Sequence, residues 1–225
     1  MLSAVSNADS GSSILNLDAL AATPLQDDPF GFIAVPGFVT PYALAAANQD
    51  YPAIDRPSNL PPENLSYGPG FQRLLDALNG PEFARGLGEK FGVDLSSCPT
   101  TITVRKYCEA SDGNIHTDHR SKIVTVIVYF NQDWPHEAGQ LRMLRSNTDI
   151  EDYAAEVPPL GGTLLAFRRT DHSFHGHTRF EGERRMLQMN FLKSSALSRY
   201  RQRFDRFSTH LIKRMLRLGR GAEPT

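Results

Sequence analysis

The chain has 225 residues, a net charge of −1 and 40% hydrophobic residues, which suits one large or two small globular units with a real core. Its two cysteines, Cys98 and Cys108, exclude a disulfide framework, show no metal-ligand spacing, and read as small buried hydrophobes in a reducing compartment. No apolar run approaches the ~20 residues of a membrane span and the N-terminus lacks a secretory signal, so a cytoplasmic location and no membrane span are expected.

Residues 1–13 are small and polar and read as a disordered tail. Ile14–Ala22 is a short helix candidate. Phe30–Phe38 reads as a strand broken by Pro36-Gly37, hence an edge or a strand end. Pro41 opens a helix over Tyr42–Gln49, at a position where its missing N–H costs nothing. Prolines and asparagines between Tyr51 and Gly70 predict an irregular surface loop. Helices follow over Phe71–Leu78 and Glu82–Phe91, separated by Gly80-Pro81.

From Thr100 the residues become alternating and β-branched. Strands are predicted at Thr101–Tyr107, Lys122–Phe130, Gln140–Leu144, Thr163–Phe167, Ser173–His177 and Arg184–Phe191, with a short helix at Asp149–Ala155. Short strands after a helical layer predict an α+β protein with a mainly β core. The architecture expected is a double-sheet jelly roll, cupin-like, with N-terminal helices packed on one face.

The last segment differs. No Lys or Arg precedes Arg56, whereas nine basic residues and one acid, Asp205, lie between Lys193 and Arg220. Leu197, Tyr200, Phe204, Phe207, Leu211, Met215 and Leu218 form one apolar stripe at helical spacing. Three readings stand: a terminal helix packed on the roll with a solvated basic face, a homodimer contact, or an anionic lipid or substrate surface. In a neutral chain this segment gives nucleic-acid binding little support. The expected partition is a 1–13 tail, a 14–99 support region, a 100–193 β core and a 194–225 basic amphipathic helix.

His116-Thr117-Asp118 and the later His175 carry the chemistry. Two imidazoles and a carboxylate, with other positions open, are the set that holds a reactive Fe(II) on one face. His116 and Asp118 are two apart, so on a strand both emerge from the same face, and His175 must arrive from another strand. Arg184 opens a stretch in which Arg184, Gln188 and Asn190 share a face. A buried guanidinium there needs an anion, and its planar fork fits a carboxylate. Arg185 points the other way and reads as a surface charge. His119, His136 and His172 read as surface or loop histidines.

Residues 101–191 resemble the Fe(II)- and 2-oxoglutarate-dependent dioxygenases, especially the bacterial prolyl-4-hydroxylase-like branch. The matching stretches are Arg105-Lys106-Tyr107, His116-Thr117-Asp118, VTVIVYFNQDW (Val124–Trp134), GGTLLAF (Gly161–Phe167) and SFHGH…GERR (Ser173–Arg185). The resemblance implies a double-stranded β-helix in which His116, Asp118 and His175 bind Fe(II) and Arg184 clamps 2-oxoglutarate. Tyr107 and Tyr129 would contact the co-substrate, and Thr125 and Gln188 would line its pocket. His177 departs from the family's usual aliphatic residue and competes with His175 for the ligand role. The His-Gly pair and the spacing to Arg184 favour His175.

The implied reaction is oxidative decarboxylation of 2-oxoglutarate to succinate and CO2, coupled to hydroxylation of a small-molecule or peptidyl substrate. L-Ascorbate is the family's companion reductant. The alternatives are a cupin-like metal- or sugar-binding protein, a non-catalytic relative, and a nucleic-acid demethylase. The first two have no use for Arg184 beside an intact triad. The third lacks support in the arginine pattern after His175. The loops 52–70 and 133–139 are expected to border the pocket.

Overall fold

A computed structural model describes residues 13–194. The expected N-terminal tail, except Ser13, and the expected C-terminal helix, except Ser194, lie outside the described residues. The first helix, α1 (Leu17–Ala22), starts where the Asn16 side chain accepts a hydrogen bond from the Ala19 N–H at 2.9 Å. Strand β1 (Phe32–Val35) precedes α2 (Pro41–Gln49), and a 3-10 turn (Pro62–Asn64) interrupts the loop before α3 (Pro69–Leu78) and α4 (Pro81–Phe91). All three longer helices begin on proline, whose fixed φ suits the first turn. Helix α4 ends on Gly92 at φ +62°, the left-handed cap that only glycine takes without strain.

The remaining elements are β2 (Thr100–Cys108), β3 (Lys122–Tyr129), β4 (Leu141–Leu144), β5 (Tyr153–Val157), β6 (Leu164–Arg168), β7 (His175–Gly176) and β8 (Gly182–Leu192). Every pairing between these named strands is antiparallel. The strands form a five-stranded sheet, β1-β6-β3-β8-β2, and a three-stranded sheet, β5-β4-β7. Strand β1 lies at an edge, where the Pro36 ring interrupts no ladder.

The short helix expected at Asp149–Ala155 is absent. Asp149 Oδ1 accepts from the Glu151 N–H in a tight turn, and Tyr153 onward pairs with β4, Met143 opposite Ala155. Pairing with β4 and the ion pair between Arg142 and Glu156 outweigh the local helical preference.

The large sheet is buried on both faces. Val124, Val126 and Val128 of β3 join Phe71, Leu74, Phe83 and Leu87 of the helices in one apolar cluster. The Phe83 and Phe191 rings lie 6.3 Å apart there, and Phe71 meets Phe130 at 5.8 Å. Ile127 and Tyr129 point the other way, into a second cluster with Leu141, Met143, Val157, Leu165 and Phe167 between the sheets. Each such side chain contributes about 1.5–3 kcal/mol by leaving water. The same alternation turns Thr125 toward the space between the sheets, where the functional groups collect.

Candidate active site

His116 is not on a regular strand, contrary to the sequence expectation. It forms an isolated antiparallel bridge with His175, its N–H donating to the His175 carbonyl at 3.1 Å and the His175 N–H returning at 3.0 Å. Asp118 lies in the irregular turn before β3. Convergence therefore comes from the bridge, which sets the two imidazoles 4.4 Å apart between ring centroids. One donor atom from each of His116, Asp118 and His175 lies within 4.8 Å of the others. His116 is exposed, while Asp118 and His175 are buried, so the cluster opens to solvent on the His116 side.

Backbone carbonyls set the imidazole tautomers. His116 Nδ1 donates to the Asn114 carbonyl at 2.8 Å, and His175 Nδ1 donates to the Ser173 carbonyl at 2.9 Å. Carbonyls only accept, so both Nδ1 atoms carry the proton and both Nε2 lone pairs are free for a metal. Burial lowers the His175 pKa to about 4, against the pull of Asp118, and keeps the ring neutral at pH 7.

Asp118 is held from both ends. Lys122 Nζ donates to Oδ1 at 2.5 Å, and the Thr125 hydroxyl donates to Oδ2. Burial opposes its charge, but the Lys122 ammonium, His175 and these bonds hold the carboxyl below its usual range. A polar chain extends from Thr125, with Gln188 Nε2 donating to Asn190 Oδ1 at 3.0 Å and Asn190 Nδ2 donating to Thr101 at 3.2 Å. Thr125 and Gln188 thus connect to the Asp118 side of the cluster. Two imidazole nitrogens and a carboxylate on one side, with no fourth side chain in the set among the described residues, suit a ferrous ion with open positions.

Arg184 is 3% exposed. Its Nε donates to the Gly139 carbonyl at 2.8 Å and its Nη2 to the Tyr129 hydroxyl at 3.3 Å, with Met186 Sδ 3.2 Å from Nη1. Among the described residues no carboxylate pairs with it, so a buried cation awaits an anion. Burial pushes the Tyr129 phenol up, and Arg184 opposes that shift. Arg185, by contrast, pairs with Glu183 and lies over the Tyr51 ring, beside a cleft of about 430 Å³ lined by Asn48, Trp134 and His136. Of the two guanidinium groups, Arg184 is the one with no carboxylate partner among the described residues.

A register shift after Arg105 sets Tyr107 opposite Glu183, with the Lys106 ammonium over its ring. His177 stays outside the ligand cluster: its N–H donates to the Gly113 carbonyl at 2.9 Å and its Nδ1 to Thr178 at 2.8 Å. Burial, then Arg184, lower its pKa to about 4. His119 bonds Ser121, and His136 packs against Trp134 and Phe180. Sequence reasoning missed Lys122. Its signal was a lysine opening an otherwise apolar strand, four residues after Asp118.

The two-sheet β fold thus carries an imidazole–carboxylate–imidazole cluster and a buried guanidinium with no carboxylate partner among the described residues. Residues 102–192 match the family model of the 2OG-Fe(II) oxygenase superfamily. In structure the chain is similar to a Pseudomonas putida prolyl-4-hydroxylase, at 19% identity and a TM-score of 0.52, covering 79% of this chain and 92% of that one. It is also similar to a prolyl 4-hydroxylase from Phytophthora capsici, at 14% identity and a TM-score of 0.52, covering 88% of this chain and 77% of that one. At such identities the likeness is one of fold. No curated protein matches the chain. No helix among the described residues is long and apolar enough to cross a membrane.

Proposed function

We propose that the protein is an Fe(II)- and 2-oxoglutarate-dependent dioxygenase that hydroxylates an aliphatic C–H bond of a peptidyl or small-molecule substrate, releasing succinate and CO2. The observation that carries this reading is the pairing of the His116–Asp118–His175 cluster with an Arg184 that has no carboxylate partner among the described residues. A binding-only jelly roll has no use for that buried charge.

Fe(II) would sit on His116 and His175 Nε2 and the Asp118 carboxylate, and with 2-oxoglutarate it supplies the oxidative decarboxylation that drives hydroxylation. The protein's own part is placement. Arg184 Nη1 and Nη2 would receive the distal carboxylate of 2-oxoglutarate, and the Tyr129 hydroxyl would add a donor beside them. Thr125 keeps the Asp118 carboxylate oriented, and the Asn114 and Ser173 carbonyls keep both imidazoles in the liganding tautomer. The cluster opens on the exposed His116 side, which is where a substrate would approach.

The test has two stages. The first is calorimetric binding of 2-oxoglutarate to Fe(II)-loaded protein without oxygen. The second is a substrate screen, with and without ascorbate, read by mass spectrometry as gain of one oxygen atom. Both fold neighbours are prolyl 4-hydroxylases, so proline-containing peptides head the screen. Absence of metal-dependent 2-oxoglutarate binding would end this reading.

A further inference from the structure

Lys122 has a place in the site that the reaction itself does not require. Its ammonium is 2.5 Å from Asp118 Oδ1, and the two side chains are 7% and 8% exposed. Among the described residues Asp118 is its only carboxylate partner. The lysine is fixed from behind, because its backbone N–H donates to the His119 carbonyl at 3.0 Å and its residue pairs with Leu192 across β8. A cation in this position does for Asp118 what a metal would do: it neutralises a buried carboxylate whose other side-chain hydrogen bond comes from the neutral Thr125 hydroxyl. Once a divalent ion arrives on the same carboxylate, two positive centres share it within a few ångströms, in a poorly screened setting.

We propose that Lys122 is a resident counter-cation of the metal site, which stabilises Asp118 while no metal is bound and weakens the site's hold on the divalent ion. The inference rests on reading His116, Asp118 and His175 as metal ligands. Orientation of Asp118 does not depend on Lys122, because Thr125 grips the second oxygen independently. Removing the lysine therefore removes repulsion and leaves the ligand aimed. The consequence for the protein is a site whose occupancy follows the ferrous ion available around it.

The experiment compares wild-type protein with Lys122→Met and Lys122→Gln. Mn(II) and, without oxygen, Fe(II) are titrated by calorimetry, and thermal unfolding is followed with and without metal. Lys122→Gln keeps a donor for Asp118 without the charge, so it serves if the methionine variant does not fold without metal. The expected result is metal affinity at least tenfold tighter in the variants, with a lower melting temperature for the metal-free protein and recovery of that loss on adding Mn(II). Unchanged or weaker affinity in both variants would overturn the proposal, since Lys122 would then serve as a helper that orients Asp118. If wild-type protein binds neither metal and neither variant does, the ligand assignment itself fails, an outcome separate from the first.

Discussion

Arg184→Met separates two effects that usually move together. Arg184 is a buried guanidinium with a carbonyl, a phenol and a thioether around it and no carboxylate among the described residues. Replacing an uncompensated buried charge by an apolar chain of similar length is expected to be neutral or stabilising by about 1–4 kcal/mol, less about 1–3 kcal/mol for the Gly139 carbonyl left without its donor. The melting temperature should therefore hardly change. Binding of 2-oxoglutarate should behave quite differently. Loss of a buried, charge-assisted clamp costs about 2–5 kcal/mol, a weakening of roughly 30- to 4,000-fold. The assay is calorimetry of 2-oxoglutarate on Mn(II)-loaded wild type and variant, with metal affinity measured alongside. Metal binding should be unchanged, since Arg184 does not touch the cluster. An unchanged 2-oxoglutarate affinity would refute the clamp assignment, and the same loss in Arg185→Met would shift it to the other arginine.

Thr125→Val removes the hydroxyl on Asp118 Oδ2 and should weaken metal binding about 10- to 100-fold, the usual cost of losing a partner that orients a ligand; calorimetry with Mn(II) reads it. Gly113 has φ +90°, and a Cβ there would lie 2.5 Å from His177 Nδ1, so Gly113→Ala should cost at least about 1–3 kcal/mol in urea unfolding and disturb the loop before His116. The Tyr51 hydroxyl donates to the Arg105 carbonyl at 2.6 Å, with the Met186 carbonyl 3.2 Å from the same oxygen, and burial pushes its pKa far up. Its contribution is complete below the unfolded phenol's value of about 10 and is lost as pH rises beyond it. Tyr51→Phe should cost about 1–3 kcal/mol at neutral pH and flatten the alkaline limb of a stability–pH curve.

Much of the fold was legible because local chemistry and long-range packing agree. Proline at a helix start, glycine at a helix end and β-branched runs between glycines mark α2 to α4 and β2 to β8 to within a residue or two, apart from β5 and the shortened β7. The departures are places where a distant partner decides. Residues 149–155 carry helical composition, but pairing with β4 makes Tyr153–Val157 a strand. His-x-Asp spacing pointed to residues that do come together, for an incomplete reason: the bridge to His175, not strand alternation, gathers them. Tyr107 lies past a register shift that no pattern announces. The partners of the imidazoles are backbone carbonyls, which every residue has and no sequence motif reveals. Lys122 was visible as a charge in an apolar strand, but its meaning required knowing that Asp118 faces it.

The most direct test of the central claim is succinate formation from 2-oxoglutarate by purified protein loaded with Fe(II) without oxygen and then exposed to air. The expected result is slow turnover without added substrate that is abolished in both His116→Ala and Arg184→Ala. Failure of the wild-type protein to form succinate, together with failure of the iron-loaded protein to bind 2-oxoglutarate, would contradict the assignment of this site to oxygenase chemistry.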